Sequence, residues 1–259
     1  MSTVTVAGPT GTSTRGLLGA HWLMLRTRGG LILLALGVLV PLAVLVLVLL
    51  TGQQTFDVDG ADLADPLINT TVACALFAPL LGAMIGGSPF RHGTIVPLLL
   101  AEPRRTRVVL AAVLVAGGVA AMSAVLYILL GSAVALPWLA NQGVPVGEVL
   151  ADPALWWRLL GSTAVVAVTG MFGAALGALL RGLLGPVLVL VGSFIVEGSV
   201  IAYVNDEWFR WSLWANLVVL TEPTAELPFP FWQSVLFVVG VLAAVVAAAL
   251  VSTTRRDAA

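Results

Sequence analysis

Long apolar runs separated by short polar segments form the dominant pattern of this chain. Each run is close to the roughly 20 residues that a helix needs to cross a hydrocarbon layer. The pattern predicts six spanning helices, at about residues 31–50, 67–87, 108–136, 159–180, 183–204 and 232–251. Only Arg181 and Gly182 separate the fourth run from the fifth, which predicts a tight antiparallel hairpin.

Two polar segments lie outside the six runs. Residues 1–14 carry no charge and are rich in Ser, Thr and Gly, which predicts a disordered tail. Between Arg15 and Arg28, apolar residues such as Trp22 recur at helical spacing among arginines, which predicts an amphipathic helix at the membrane interface. Residues 15–251 are then one transmembrane domain and residues 252–259 a cytoplasmic tail. The expected fold class is an all-α polytopic membrane protein.

Composition supports this interpretation. The chain is 59% hydrophobic and 10% charged, whereas an ordinary soluble domain is about 25% charged. A soluble protein is therefore excluded, and six spans leave no room for a second, water-soluble domain.

The basic residues are distributed unequally among the loops. All 12 of them are arginines, and only Arg158 and Arg210 fall in the loops of one side. Arginine-rich short loops stay in the cytoplasm, so both termini are expected to be cytoplasmic. Seven tryptophans fall near the opposite boundary, where indole rings prefer the headgroup layer.

The segment between the second and third spans carries the most informative motif. Pro89 and Pro103 bracket a short apolar stretch, and Arg104, Arg105 and Arg107 follow it. Such an element can rest on the bilayer while it offers charge to a soluble partner. The alternative is that these arginines only fix the topology and bind anionic headgroups.

This loop resembles the cytoplasmic signature of ABC-2 type transporter permeases, and of actinobacterial members in particular. The residues that carry the resemblance are Arg91, His92, Gly93, Thr94, Glu102, Pro103, Arg104, Arg105 and Arg107. The stretch from Trp22 to Arg26 is similar to the amphipathic segment that precedes the first span in that family. Two positions depart from the pattern: Pro89 stands where many relatives have glutamate, and Ala111 or Ala112 stands where a lysine often begins the next span.

The resemblance implies a permease subunit of an ATP-driven exporter in a bacterial plasma membrane. Its partners would be a separate ABC ATPase in two copies, a second permease subunit in a homodimer or heterodimer, and membrane lipid, with no nucleic acid. ATP and magnesium would belong to the ATPase, and this chain would hold no cofactor and no enzymatic activity. The absence of lysine independently excludes a P-loop here. Few polar residues in the spans suggest an apolar or amphipathic cargo.

Glu197 is the only acidic residue within a predicted span. An ionisable group at membrane depth is costly and is a functional candidate by default, so Glu197 is a candidate for the translocation path. It could instead be bonded to Ser193 or Tyr203. The alternative function is a proton-coupled secondary transporter or a small intramembrane enzyme that uses Glu197.

Two further patterns in the sequence concern metal binding and helix packing. His21 and His92 are the only histidines and form no H-E-x-x-H motif, so no metal site is expected. Gly173 and Gly177 give the fourth span a face of small residues that permits close helix approach. We expect this face to pack within the chain rather than in a dimer.

Overall fold

The computed structural model describes residues 14–25, 27–51, 65–91, 93, 104–197, 209–221 and 229–255. All regular elements in these ranges are helical, which confirms the all-α expectation. The helices are α1 (Thr14–Leu25), α2 (Arg28–Thr51), α3 (Asp65–Ala73), α4 (Ala78–Arg91), α5 (Arg105–Asn141), α6 (Val146–Ala151), α7 (Pro153–Leu180), α8 (Leu184–Val196), α9 (Leu213–Val219) and α10 (Phe231–Arg255). The predicted tail 1–14 lies outside the described residues except for Thr14, which begins α1.

Five helical stretches of the described residues are long and apolar enough to cross a membrane, so the chain is a multi-pass membrane protein. These stretches are Arg28–Thr51, Pro66–Arg91, Arg105–Asn141, Pro153–Leu180 and Phe231–Thr254. The remaining predicted span, 183–204, is described only as Leu183, the 13-residue helix α8 and Glu197. Thirteen residues rise about 20 Å, which is less than the hydrocarbon thickness of about 30 Å.

The second predicted span contains a break that hydropathy does not indicate. A short 3₁₀ turn at Cys74–Leu76 separates α3 from α4. Pro79 follows at the second position of α4 and has no backbone N–H, so the carbonyl of Ala75, four residues earlier, receives no helical hydrogen bond from it. The chain tightens into the 3₁₀ turn, in which Phe77 donates to the carbonyl of Cys74 at 3.0 Å.

The centre of the bundle is a close contact between α4 and α7. A Cβ built on Gly86 would lie 2.1 Å from the carbonyl oxygen of Ala174, and one on Gly173 would lie 2.2 Å from that of Pro79. These distances are too short for any side chain, so the backbones of the two helices touch directly. We call this contact the glycine seam. It confirms that the small face of α7 packs within the chain.

Helix α5 lies beside the glycine seam. It packs against both helices of the seam and also against α1, α2, α3 and α10. Its 37 residues rise about 55 Å, so it extends beyond the hydrocarbon core. Tyr127 in its middle is fully buried, and its hydroxyl is hydrogen-bonded to the hydroxyl of Thr70 on α3. A polar contact inside an apolar bundle fixes the register of α3 against α5.

Helices α2, α8 and α10 form the periphery. Only 22% of the most apolar window of α2 and 17% of that of α10 are buried, against 61% for the other three spans. Leu184 and Leu188 on α8 are more than 70% exposed. These apolar surfaces are those that a membrane, or a further membrane subunit, would cover.

Candidate functional site

Arginines from several loops meet at one end of the bundle, which we call the basic end. Arg91 ends α4, Arg104 precedes α5, and Arg107 lies in the first turn of α5; all three side chains are exposed. Arg105 and Arg181 are half-buried at the same end. The structure therefore brings together the described arginines of the predicted coupling loop.

Arg105 ties the start of α5 to the end of α10. One of its terminal guanidinium nitrogens donates to the carbonyl oxygen of Thr253 at 2.8 Å. Carbonyls in the last turn of a helix have no partner inside the helix, and a cation there also interacts favourably with the helix dipole. Arg105 is thus a structural contact within the chain as well as part of the basic surface.

Arg181 ends α7 and begins the tight turn to α8. Its φ of 52° lies in the left-handed region, where a residue that is not glycine is uncommon. Its guanidinium lies 5.3 Å from the ring centre of Phe90 on α4, a cation–π distance. A Cβ on Gly87 would lie only 2.7 Å from the carbonyl oxygen of Gly182. The α7–α8 turn is therefore held directly against the end of α4.

Helix α1 covers the same end of the bundle. It packs on α5, where Leu18 contacts the cluster formed by Val108 and Ala111. Trp22 of the predicted interfacial helix is 45% exposed. The following residue, Leu23, is also exposed, so α1 presents apolar surface outward while it is attached to the bundle.

His21 is the polar residue that α1 buries. Its side chain is 0% exposed, and neither ring nitrogen makes a hydrogen bond of ordinary geometry to a described residue. Burial lowers the pKa of His21 from its usual 6.5, and the nearby backbone of Val108 offsets part of that effect. The ring borders a cavity of about 20 Å³, enough for about one water molecule. The other residues that line it are Gly86, Pro89, Phe90, Arg105, Val108, Val109, Ala112, Ala178 and Thr253.

Part of the predicted site falls in segments outside the described ranges. Arg26, His92, Thr94, Glu102 and Pro103 lie outside the described residues. Gly93 is described, is exposed, and has a φ of +65°, a conformation that suits glycine. Pro89, which departs from the family pattern, is buried inside α4. A glutamate at this buried position would face the His21 cavity rather than open solvent.

Glu197 lies at the opposite end, where it anchors α9. Its carboxylate accepts a hydrogen bond from the hydroxyl of Ser212 at 2.6 Å and another from the backbone N–H of Trp214 at 3.0 Å. Ser212 is the N-cap of α9, since its hydroxyl also accepts from the N–H of Ala215 at 3.1 Å. A carboxylate at a helix N-terminus is stabilised by unpaired N–H groups and by the helix dipole. Ser193 contributes through its hydroxyl, which accepts from the indole N–H of Trp214 at 3.1 Å.

Exposed tryptophans surround this opposite end, which we call the aromatic end. Trp156 and Trp157 lie in the first turn of α7, Trp211 lies just before α9, and Trp232 lies in the first turn of α10; each is at least 45% exposed. Trp157 contacts Phe231 with ring centres 6.0 Å apart. The described molecule thus has one end rich in arginine and one rich in indole.

Several residues of these sites escape sequence reasoning. Ser212 and Asn216 on the α9 segment, and Thr253 on α10, have no local pattern that marks them. The Nδ2 of Asn216 donates to the carbonyls of Arg210 and Ser212 at 2.9 and 2.7 Å and holds the chain before α9. Only the three-dimensional contact reveals these roles.

Neither a metal centre nor a known relative assigns a function to these sites. The described residues contain no group of three or more His, Cys, Asp or Glu that could hold a metal ion. No protein-family model, curated protein or solved structure matches this chain. Function is therefore inferred from the chain's own residues and from the resemblance of its loop motif.

Proposed function

We propose that this chain is the transmembrane permease subunit of an ABC-2 type exporter in a bacterial plasma membrane. In this proposal it has six spans with both termini in the cytoplasm, pairs with a second permease subunit, and binds two copies of a separate ABC ATPase. The ATPase holds ATP and magnesium, and the chain supplies the path for an apolar or amphipathic cargo.

The observation that carries the proposal is the basic end. Exposed Arg91, Arg104 and Arg107 lie at the end of the bundle where residues of α1, α4, α5 and α10 line one cavity. The loop after α4 resembles that of ABC-2 type permeases. The resemblance implies that this loop and the amphipathic helix α1 receive the movement of the ATPase. The exposed Arg91, Arg104 and Arg107 border the loop after α4, and a cationic surface there suits an acidic docking surface on a soluble partner.

The contacts beneath this surface would transmit a displacement. His21 joins α1 to α5, Arg105 joins α5 to α10, and Arg181 joins the α7–α8 turn to α4. ATP-driven closure of the two ATPases would favour one arrangement of these contacts over the other, because only a difference in contact energy can shift a conformational equilibrium. The shift would switch access to a path between the two permease subunits.

The distribution of charge supports the orientation. The arginine-rich end would face the cytoplasm by the positive-inside rule, and the tryptophans of the aromatic end would lie in the outer headgroup layer. The exposed apolar surfaces of α2, α8 and α10 are then available to lipid and to the second permease subunit.

The alternative function, proton-coupled transport through Glu197, gains no support from the geometry. The carboxylate is engaged by Ser212 and by the backbone of Trp214. A proton carrier must release and rebind its proton as its surroundings change, whereas this group holds the start of α9 in place.

Charge reversal at the basic end tests the proposal. The double variant Arg91→Glu/Arg104→Glu, reconstituted with the ATPase, is expected to lose cargo-stimulated ATP hydrolysis, because like charges across an interface repel. Arg105 is left unchanged because it also binds Thr253.

The matched control is Arg210→Glu, an exposed arginine at the aromatic end, which is expected to keep full stimulation. Membrane insertion and thermal stability are measured for every variant. Stimulation that survives the double change would remove the basic end from the coupling mechanism.

A further inference from the structure

An apolar groove opens between α1 and α5. Its volume is about 480 Å³, which is within the range of roughly 300 to 1,000 Å³ found for ligand sites. The residues that line it are Leu18, Gly19, Trp22, Leu114, Val115, Gly118 and Val119. Indole and aliphatic side chains dominate this lining, so its occupant must be apolar.

Two glycines keep the groove open. A Cβ added to Gly19 on α1 or to Gly118 on α5 would meet no atom within 4 Å. Leu114, one turn before Gly118, is 60% exposed. Larger residues at the glycine positions would fill the space between the helices, so the sequence leaves room there for a molecule other than the described chain.

The depth of the groove indicates that its occupant is a molecule of the membrane. Leu114 and Gly118 follow Arg107 on α5 by seven and eleven residues, which is about 10 and 16 Å along a helix. Arg107 belongs to the basic end, which the positive-inside rule would place at the cytoplasmic headgroup layer. The groove therefore lies at the level of the acyl chains, where a water-soluble peptide or metabolite does not reach.

The positive charge of Arg107 indicates that the headgroup of the occupant is anionic. Spacings of seven and eleven residues correspond to about two and three helical turns, so Arg107, Leu114 and Gly118 lie on one face of α5. Arg107 is exposed and stands in line with the groove on the side of the membrane surface. A guanidinium binds a phosphate with good geometry, and an acyl chain attached to that phosphate would descend along the same face.

We propose that the groove between α1 and α5 is a binding site for one anionic phospholipid. Its phosphate pairs with Arg107, and one acyl chain lies against Trp22, Leu114 and Gly118. The bound lipid fastens α1 to α5 beside the buried His21. This inference does not depend on the proposed transport function, because it concerns lipid retention by the chain itself.

Native mass spectrometry of the full chain, released from nanodiscs with equal parts of dioleoyl phosphatidylglycerol and dioleoyl phosphatidylcholine, tests the site. The chain is expected to retain one phosphatidylglycerol in about fivefold preference, equivalent to the roughly 1 kcal/mol of one arginine at an anionic surface. Gly118→Leu fills the groove and is expected to lose the retained lipid, and Gly19→Leu fills it from α1 and serves as a second variant.

Gly240→Leu is the matched control, because Gly240 is also an exposed helical glycine with no atom near its added Cβ. It is expected to retain lipid as the unchanged chain does. Arg107→Glu is expected to abolish the preference for the anionic headgroup. Equal retention by Gly118→Leu and Gly240→Leu would overturn the proposal. So would a chain dimer that disappears in Gly118→Leu, since the occupant would then be a second copy.

Discussion

Glu197 and His21, two polar side chains at opposite ends of the bundle, have different roles in the structure. Glu197 binds Ser212 and the backbone of Trp214, and thereby holds α9 against α8. His21 is buried between α1 and α5 without a hydrogen bond of ordinary geometry to a described residue. The first residue is satisfied by its neighbours and stabilises the fold. The second is a point of weakness, because any charge placed there would be costly.

Replacing Glu197 separates an anchoring role from proton transport. Glu197→Ala removes the acceptor of two hydrogen bonds and is expected to cost about 3 kcal/mol of stability, since each hydrogen bond to a charged group contributes about 1.5–3 kcal/mol. Glu197→Gln keeps an acceptor oxygen and is expected to cost less while cargo transport continues. Thermal unfolding in detergent and a transport assay measure the two effects. A stable Glu197→Gln variant without transport would instead favour the proton carrier.

The pKa of His21 predicts a pH dependence of α1 docking. Because burial lowers this pKa in the folded state, the proton binds better when α1 is detached, and docking is fully stable only above about pH 6.5. Among the described residues, the charged side chain beside the ring is Arg105, and Arg91, Arg104, Arg107 and Arg181 lie at the same end of the bundle.

Hydrogen exchange of α1 amides measures this effect. Exchange is expected to accelerate as the pH falls from about 7.5 to about 5, after correction for intrinsic rates. His21→Leu cannot take up a proton, so its α1 exchange is expected to stay unchanged over the same range. An identical acceleration in His21→Leu would show that another group is responsible.

At the residue scale, the sequence singled out Glu197 but did not predict its partners. Glu197 stands out because it is the only acid in an apolar run. Ser193 and Tyr203 were the expected partners because they lie close to Glu197 along the chain. The observed partners, Ser212 and Trp214, are 15 and 17 residues away along the chain, and their approach depends on the path of the connecting segment. Burial of His21 likewise depends on how α1 docks.

Among the elements, the α4–α7 pair determines the bundle geometry. Gly82, Gly86 and Gly173 bring backbone against backbone, and the nearest atoms are carbonyl oxygens that cannot rotate away. With both helices held at this distance, α5 packs along their common side. The seam therefore fixes the spacing on which the positions of the basic loops depend.

Alanine substitutions in the glycine seam test this dependence. Gly86→Ala and Gly173→Ala are expected to lower stability by about 1–3 kcal/mol or more, the usual cost of overpacking. Gly240→Ala on α10 meets no neighbouring atom and is expected to be neutral or to stabilise by up to about 1 kcal/mol. Thermal unfolding in one detergent compares the three. Equal stability of the seam variants and the control would show that α4 and α7 are not in backbone contact.

Hydropathy predicted the described spans well because bilayer thickness sets the length of an apolar run. It placed helix ends poorly, since backbone hydrogen bonding continues into polar residues: α5 runs from Arg105 to Asn141 rather than from 108 to 136. The break at Cys74–Leu76 arises from the missing N–H of Pro79, which hydropathy does not measure.

On the scale of the whole molecule, the chain is polarised along its long axis. Most of the described arginines lie at one end and most of the exposed tryptophans at the other, with apolar helix surfaces between them. The arginine count of the loops predicted this polarity, because charge in short loops follows topology. The contacts that turn the basic end into one connected surface, through Arg105 and Arg181, required the fold.

The central claim is that cargo transport by this chain is driven by ATP hydrolysis in a separate subunit bound at the basic end. The most direct measurement reconstitutes the chain in liposomes with its co-purifying ATPase and follows export of a fluorescent amphipathic cargo. Transport is expected with ATP and magnesium, and is expected to stop when the ATPase is omitted or when a non-hydrolysable nucleotide replaces ATP. Cargo movement by the chain alone, driven by a pH gradient without nucleotide, would contradict the account.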